Sequence, residues 1–231
     1  MLAAALVIGA GSAFADDQKL VVVELYTSQG CSSCPPADAM LGELNKQAGV
    51  LGLSLHVDYW DYIGWKDEFA SPHHGTRQRG YAKRFKQRYV YTPQMVVHGA
   101  YQGVGSKRSE INDFIAKARH LPSVPVSLSR EGDQVMATLP ATAVKGDVDI
   151  FSVFFDRRHD VAIKRGENSG RKLTYTNVVR DIRPIGKWDG KEHRLKVPTH
   201  YDGADACAII LQSARSGKII GAAMLALDGQ S

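Results

Sequence analysis

Lys19-Leu20-Val21-Val22-Val23-Glu24-Leu25-Tyr26 reads as a buried strand and Ala37-Asp38-Ala39-Met40-Leu41-Gly42-Glu43-Leu44-Asn45 as a helix; between them stands Gly30-Cys31-Ser32-Ser33-Cys34-Pro35-Pro36. Two cysteines at Cys-x-x-Cys spacing thus lie where a strand ends and a helix begins, the setting of a redox-active pair. The first turn of a helix carries unpaired N–H groups and the positive end of its dipole. A thiolate is stabilised there, and such cysteines fall in pKa from ~8.5 to between roughly 3.5 and 7.5. On this reading Cys31 is the nucleophile, and Cys34, one turn on, closes the intramolecular disulfide. Pro35 and Pro36 suit a helix start, because proline lacks an N–H that would go unpaired there. The same spacing also serves a structural disulfide or half of a metal site, and both readings stay open.

Working downstream, Val50 to Asp58 is apolar and of strand length, so strand, helix and strand imply a parallel pair with a right-handed crossover. Tyr59-Trp60-Asp61-Tyr62-Ile63-Gly64-Trp65-Lys66-Asp67-Glu68-Phe69, followed by Ser71-Pro72-His73-His74-Gly75, reads as a long loop dense in aromatics. Loops of this length are commonly functional. We expect Tyr59 and Trp60 to offer an apolar surface to a substrate beside Cys31, with a small core beneath the loop as the plainer alternative. Thr76 to Tyr89 reads as a helix with Tyr81, Phe85 and Tyr89 on one face and a solvated basic face.

Thr92-Pro93 then stands directly before the apolar strand Gln94 to His98. In thioredoxin-like proteins a cis-proline occupies this place beside the active disulfide, and a cis X-Pro bond is uncommon elsewhere. It leaves the preceding backbone free to pair with an extended substrate, so Thr92 and Pro93 are candidate substrate-binding residues; an ordinary trans-proline opening an edge strand is the alternative. A hairpin across Gly99 and a helix from Ser109 to Ala118, with Ser109 as N-cap, complete the order β-α-β-α-β-β-α of thioredoxin.

Leu121-Pro122-Ser123-Val124-Pro125 reads as a linker. Beyond it come short strands: Val126 to Ser129, Gln134 to Leu139, Val148 to Asp156, Val161 to Lys164, Leu173 to Ile185, Ala206 to Gln212 and Ile219 to Leu227. Turn residues separate them, which points to an antiparallel sandwich. The fold expected is an α/β thioredoxin-like domain, residues 16–121, followed by an all-β, sandwich-like domain, residues 122–231. Upstream, Leu2 to Ala10 is apolar but too short to span a bilayer. It runs into Ser12-Ala13-Phe14-Ala15, with small residues where a signal peptidase reads. We expect residues 1–15 to be a signal peptide, although no Lys or Arg precedes the apolar run. No other stretch suggests a membrane span, and a periplasmic or secreted location follows, where disulfides persist.

The 231 residues carry a formal charge of +5, with Lys and Arg scattered. A nucleic-acid partner would call for a stronger basic stripe, so none is expected. The third cysteine, Cys207, lies in the apolar run Ala206 to Leu211 and reads as a small buried hydrophobe; a resolving thiol or an intermolecular bridge is the alternative. Lys164 to Asn177 gathers polar residues around an apparent hairpin tip, which we read first as solvated, with anion binding or contact with the first domain as alternatives.

Together, Val23 to Asp38, His56-Val57-Asp58-Tyr59-Trp60-Asp61, Tyr91-Thr92-Pro93-Gln94 and Gly166-Glu167-Asn168-Ser169-Gly170-Arg171 resemble a secreted thioredoxin-like bacterial family, domain-of-unknown-function family 1223. The resemblance runs from about Lys19 to the C-terminus. It implies a thioredoxin-like fold and export, and supplies no substrate. Thioredoxin itself carries a buried acid six residues before its first cysteine; here that position is Leu25, and because strand neighbours face opposite ways Glu24 beside it need not face the site, so proton transfer is unassigned. Ser32-Ser33 between the cysteines replaces Gly-Pro, and this dipeptide influences redox poise.

These signals favour an exported thiol–disulfide oxidoreductase with Cys31 and Cys34 as the catalytic pair. Its partner would be a thiol- or disulfide-containing protein or small molecule, and no cofactor or resident metal is expected. Two alternatives remain. One is soft-metal (copper) binding or delivery by the cysteines with His56, His73, His74 or His98, although the spacing matches no closed zinc site. The other is a non-catalytic binding module with a static disulfide. The Thr-x-x-Cys arrangement of peroxidases is absent.

Overall fold

The computed structural model describes residues 19–132, 134–198 and 203–227, so the expected signal peptide of residues 1–15 lies outside the described residues. The described chain opens with β1 (Val21–Thr27), the cysteine motif, α1 (Pro35–Leu44) and β2 (Val50–His56). β1 and β2 pair in parallel, from Val21 opposite Val50 to Thr27 opposite His56. β3 (Gln94–Val97) adds to the other side of β1, antiparallel, and β4 (Tyr101–Val104) follows by a tight turn. α2 (Pro72–Arg84) and α3 (Arg108–Arg119) are the other α-helices among the described residues.

The bounds of α2 and α3 differ from expectation. α2 begins at Pro72, because Ser71 Oγ accepts a bond from the His73 N–H and Pro72 stands in the first turn. It closes at Phe85, followed by Lys86 at φ 55°. Of the expected aromatic face, Tyr81 and Phe85 pack together with ring centroids 6.1 Å apart, whereas Tyr89 lies beyond the helix and is 73 % exposed. α3 starts one residue early, so Lys107 is its N-cap without a side-chain cap bond, and Ser109 falls in the first turn.

The remaining strands are β5 (Ser127–Glu131), β6 (Gln134–Leu139), β7 (Val148–Ala162), β8 (Lys172–Trp188), β9 (His193–Val197), β10 (Ala206–Ser213) and β11 (Ile219–Ala226). The strands expected at Val148 to Asp156 and Val161 to Lys164 are one long strand, β7, because the antiparallel ladder with β8 continues across the intervening charged residues. β9 was not anticipated: His193-Arg194-Leu195-Lys196-Val197 is too polar to read as a strand, and its edge position beside β6 accounts for that.

The strands form one eight-stranded mixed sheet, in the order β11-β10-β7-β8-β2-β1-β3-β4, and a three-stranded antiparallel sheet, β5-β6-β9. The large sheet therefore takes strands from both sides of residue 121, joined where β8 runs parallel to β2 at Ser54–Val178. It also curls back on itself: the Ile219 N–H, opening β11, donates to His98 O in the turn between β3 and β4 at 2.9 Å. Strand alternation divides the core. Val22, Tyr26, Leu53, Leu55, Phe155 and Ile210 pack inside the curl with Tyr81 of α2. Val21, Val23 and Leu25 face the opposite way, onto Met40 and Leu41 of α1 and Ile111 and Ile115 of α3. Further along that outer face, Phe154, Cys207, Ile209 and Leu211 pack on Leu128, Ala137 and Leu139 of the small sheet. Cys207 is thus a fully buried hydrophobe, and burial pushes its thiol up to about 11. Val124, in the expected linker, and Val126, just after it, join the same core, and the Val124 N–H bonds to Ile220 O. Among the described residues no helix is long and apolar enough to cross a membrane.

Glu24 sits on the inward-facing side of β1. Its carboxylate takes Arg77 and Tyr81 of α2, the Tyr81 hydroxyl at 2.5 Å. Gln212 of β10 donates to that hydroxyl and accepts from Arg77. A charge inside an apolar strand is thus neutralised by one buried arginine, which also lies over the Phe151 ring.

Candidate functional site

β1 ends at Thr27 and α1 begins at Pro35, so the strand-to-helix turn carries both cysteines, which are disulfide-bonded with Cα atoms 5.4 Å apart. Cys34 is the N-cap residue of α1 and fully buried; Cys31 keeps 4 % exposure. The side chains around the Cys31 sulfur are polar donors. Thr92 Oγ1 donates to Sγ at 3.2 Å, and Ser33 Oγ lies 3.3 Å away. Trp60 Nε1 in turn donates to Thr92 Oγ1 at 2.7 Å. The Thr92–Pro93 bond is cis. Pro93 is held from behind by Gly105, whose N–H bonds to Pro93 O; a Cβ on Gly105 would come within 3.3 Å of Ala37, Leu25 and Pro93 together.

Five of the six expected site residues therefore meet at one place: Cys31 is bonded to Cys34, its sulfur accepts from Thr92, Trp60 donates to Thr92, and Pro93 follows Thr92 in the cis peptide. Tyr59 is turned aside, and its hydroxyl bonds to Gln78 of α2. Tyr62, which sequence reading passed over, stacks on Trp60 with centroids 6.2 Å apart and is 78 % exposed. It belongs to the short 3-10 turn Asp61–Ile63 and extends an aromatic shelf from the disulfide into solvent.

Beneath the motif lies a buried polar cluster. Asp38 of α1 accepts from Thr27 Oγ1 at 2.7 Å, and Asp67 of the aromatic loop bonds His56 Nδ1 at 2.7 Å and the Gln29 N–H at 2.8 Å. The His56 ring stands edge-on to Tyr175 of β8 at 4.7 Å. Burial works against the Asp67 charge, but His56 and the N–H groups of Gln29 and Phe69 outweigh it and hold its carboxyl below the usual range. Asp38 is the opposite case: burial raises its pKa from 3.8 to about 7, with His56 and Thr27 opposing only in part. Its Oδ2, like His56 Nε2 and the Tyr175 hydroxyl, has no side-chain or backbone partner among the described residues. Asp38 follows Cys34 by one helical turn, with the Asp38 N–H bonded to Cys34 O, and residues so spaced share a helix face. Asp38 also lines a cleft of about 680 Å³ that runs from Pro35 along α1 to Lys172 and Thr174 of β8.

An acid whose folded pKa is raised contributes most stability while it is neutral, below the unfolded value, and that contribution is lost as pH rises through the folded value. Asp38 loses it between 3.8 and about 7. Asp38→Asn keeps the Thr27 bond and cannot ionise. Urea denaturation is expected to show the variant gaining on the wild type between pH 4 and pH 8, by on the order of 2–4 kcal/mol. A stability difference that stays flat with pH would contradict it.

The hairpin tip between β7 and β8, read from sequence as solvated, docks on the cysteine turn instead. Asn168 is buried, and its amide Nδ2 donates to Gln29 O and to Cys31 O, both at 2.9 Å, while Arg171 donates to its Oδ1. Beside it Glu167 Oε2 accepts from the Ser32 N–H at 3.2 Å. Gly166, at φ +74°, lies against Trp65, whose indole bonds Gln29 Oε1 at 2.6 Å. The polar run Glu167-Asn168-Ser169-Gly170 was the signal available in the sequence, but nothing local shows what it touches.

The histidines weighed as soft-metal ligands are not gathered at Cys31. His56 is committed to Asp67, His74 to His56 O and His98 to Val22 at the far end of β1; His73 is exposed at the start of α2. Among the described residues no group of three or more His, Cys, Asp or Glu is placed to hold a metal ion.

A family model described as a protein of unknown function (DUF1223) matches residues 22–212. An X-ray crystal structure of a protein from Agrobacterium tumefaciens is 36 % identical with a TM-score of 0.80, covering 94 % of this chain and 98 % of that one. HBP35 of Porphyromonas gingivalis superposes with a TM-score of 0.63 at 15 % identity, over 91 % of this chain and 76 % of that one, a likeness of fold alone. No protein among the curated ones matches.

Proposed function

We propose, for a chain that belongs to the DUF1223 family of proteins of unknown function, that it is a thiol–disulfide oxidoreductase with a thioredoxin-like active region, working outside the reducing cytosol. The observation that carries this reading is the environment of the Cys31 sulfur. It is the member of the pair with residual exposure, it lies in the turn that leads into α1, and Thr92 and Ser33 hydroxyls reach it. All three features favour a thiolate.

In the reducing direction the Cys31 thiolate attacks one sulfur of a substrate disulfide. The new bond joins Cys31 to that sulfur, and the other leaves as a thiolate that takes up a proton. Cys34, deprotonated, then attacks Cys31 Sγ; the mixed disulfide breaks, the second substrate thiolate leaves, and the Cys31–Cys34 bond forms. The substrate gains the two electrons that the dithiol loses. Read backwards, the same steps oxidise a dithiol substrate. Asp38, neutral or charged near pH 7 and one turn from Cys34, is the group suited to take the Cys34 proton. The cis Thr92–Pro93 edge and the Trp60–Tyr62 shelf suit an extended peptide bearing an apolar or aromatic side chain next to its cysteine.

The test is a glutathione redox titration of the purified chain. A potential between about −270 and −120 mV is that of working oxidoreductases, and its position within that range tells reductant from oxidant. A value below about −300 mV is that of a structural disulfide and overturns the proposal.

A further inference from the structure

The contact between the hairpin tip and the cysteine turn deepens this reading and rests on it. Ser32 N–H belongs to the turn that leads into α1, next in sequence to Cys31. A carboxylate already holds it. Asn168, fixed by three hydrogen bonds, anchors the tip so that Glu167 has one place to reach. Glu167 itself is exposed. We propose that Glu167, supplied by the β7–β8 hairpin, is a positioning residue that sets the redox poise of the Cys31–Cys34 pair, holding it toward the disulfide and so toward the work of a reductant.

The electrostatics are simple. Reduction turns the disulfide into a dithiol that gains stability by ionising Cys31. A negative charge bonded to the neighbouring N–H disfavours that ionisation, stabilises the disulfide relative to the dithiol and lowers the potential. The Ser32 bonds hold the Glu167 carboxyl below its usual range, so it stays charged at neutral pH. Other titratable groups sit on the elements packed around the turn: Asp38 on α1, His56 on β2, Asp58, Asp61, Lys66 and Asp67 on the aromatic loop, and Lys164, Arg165 and Arg171 at the tip itself. Among the described residues Glu167 is the charged side chain that bonds to residues 30–33.

Glu167→Gln keeps an acceptor for Ser32 and removes the charge; Glu167→Lys reverses it. Each variant and the wild type would be reduced chemically, and the pH dependence of Cys31 alkylation by iodoacetamide read by mass spectrometry. The alkylation midpoint is expected to fall by about half to one pH unit in Glu167→Gln and further in Glu167→Lys. The differences should shrink in 1 M salt, where the Debye length is ~3 Å. In the glutathione titration Glu167→Gln is expected to move the equilibrium roughly three- to tenfold toward the dithiol, about 15–30 mV for a two-electron couple. Glu192→Gln, an exposed glutamate on the approach to β9, serves as control and should move neither. Identical midpoints in the three proteins, with normal glutathione exchange, would overturn the role of Glu167 alone. Midpoints shifted in the two Glu167 variants, with a wild type that never exchanges with glutathione, would instead sink the oxidoreductase reading and leave the charge effect standing.

Discussion

Cys34→Ser should trap Cys31 in a lasting mixed disulfide, whereas Cys31→Ser should abolish exchange. With Cys34 gone, a Cys31 thiolate still attacks a substrate disulfide, but nothing inside the chain breaks the bond that forms. Incubation with oxidised glutathione should give a single adduct on Cys31, seen as one added glutathione by mass spectrometry and removed by dithiothreitol. With Cys31 gone, the remaining Cys34 sulfur is fully buried at the N-cap of α1 and meets no substrate. The rate of disulfide reduction should fall by at least roughly a thousandfold, the scale of losing a nucleophile. The asymmetry is the informative part. Equal adduct formation by the two variants would mean that the burial difference and the Thr92 bond do not distinguish the sulfurs, and the assigned roles would fail.

The largest loss of stability is expected at Glu24. Its side chain is fully buried, and Arg77, 10 % exposed, is its counter-charge. Glu24→Gln leaves the guanidinium buried beside a neutral amide and disturbs the Tyr81 and Gln212 bonds that close the cluster. Breaking one side of a buried pair costs about 3–5 kcal/mol. The pair links β1, α2 and β10, so the loss should appear as a lower urea midpoint with an unchanged slope. Glu24→Met combined with Arg77→Met removes both charges, and such double replacements recover most of the loss or exceed it. A Glu24→Gln penalty under about 1 kcal/mol would show that water reaches the pair despite its burial.

How much of this was legible follows the range of each interaction. β1, the cysteine turn, α1 and the parallel β2 could be read because short apolar runs, Pro35-Pro36 and the loop lengths act locally. Thr92-Pro93 could be read for the same reason. The start of α2 was missed although its signal was local: Ser71 followed by Pro72 is an N-cap with proline at the first helical position, obscured by the polar His73-His74-Gly75 that follows. Glu24 announced itself as a charge inside Val21-Val22-Val23-Glu24-Leu25-Tyr26, which demands a partner, but the partner is 53 residues away. Asn168 lies 137 residues from the Cys31 carbonyl it holds. Nothing in its neighbours distinguishes a hairpin tip that docks from one left in water, so contacts that depend on where β7 and β8 lead appear only once the sheet is assembled.

The join between β2 and β8 also bears on how the chain avoids sticking to itself. β2 is Val-Leu-Gly-Leu-Ser-Leu-His, buried at every position, and its two sides are covered by β1 and by β8, a strand from far down the chain. Until β8 arrives, one side of β2 is a largely apolar template with no lysine, carboxylate or proline to deter pairing with another copy, the kind of edge that nucleates aggregation. The C-terminal half is thus a guard for the N-terminal half during folding. A chain cut short after α3 would keep both cysteines and lose the strand that covers β2.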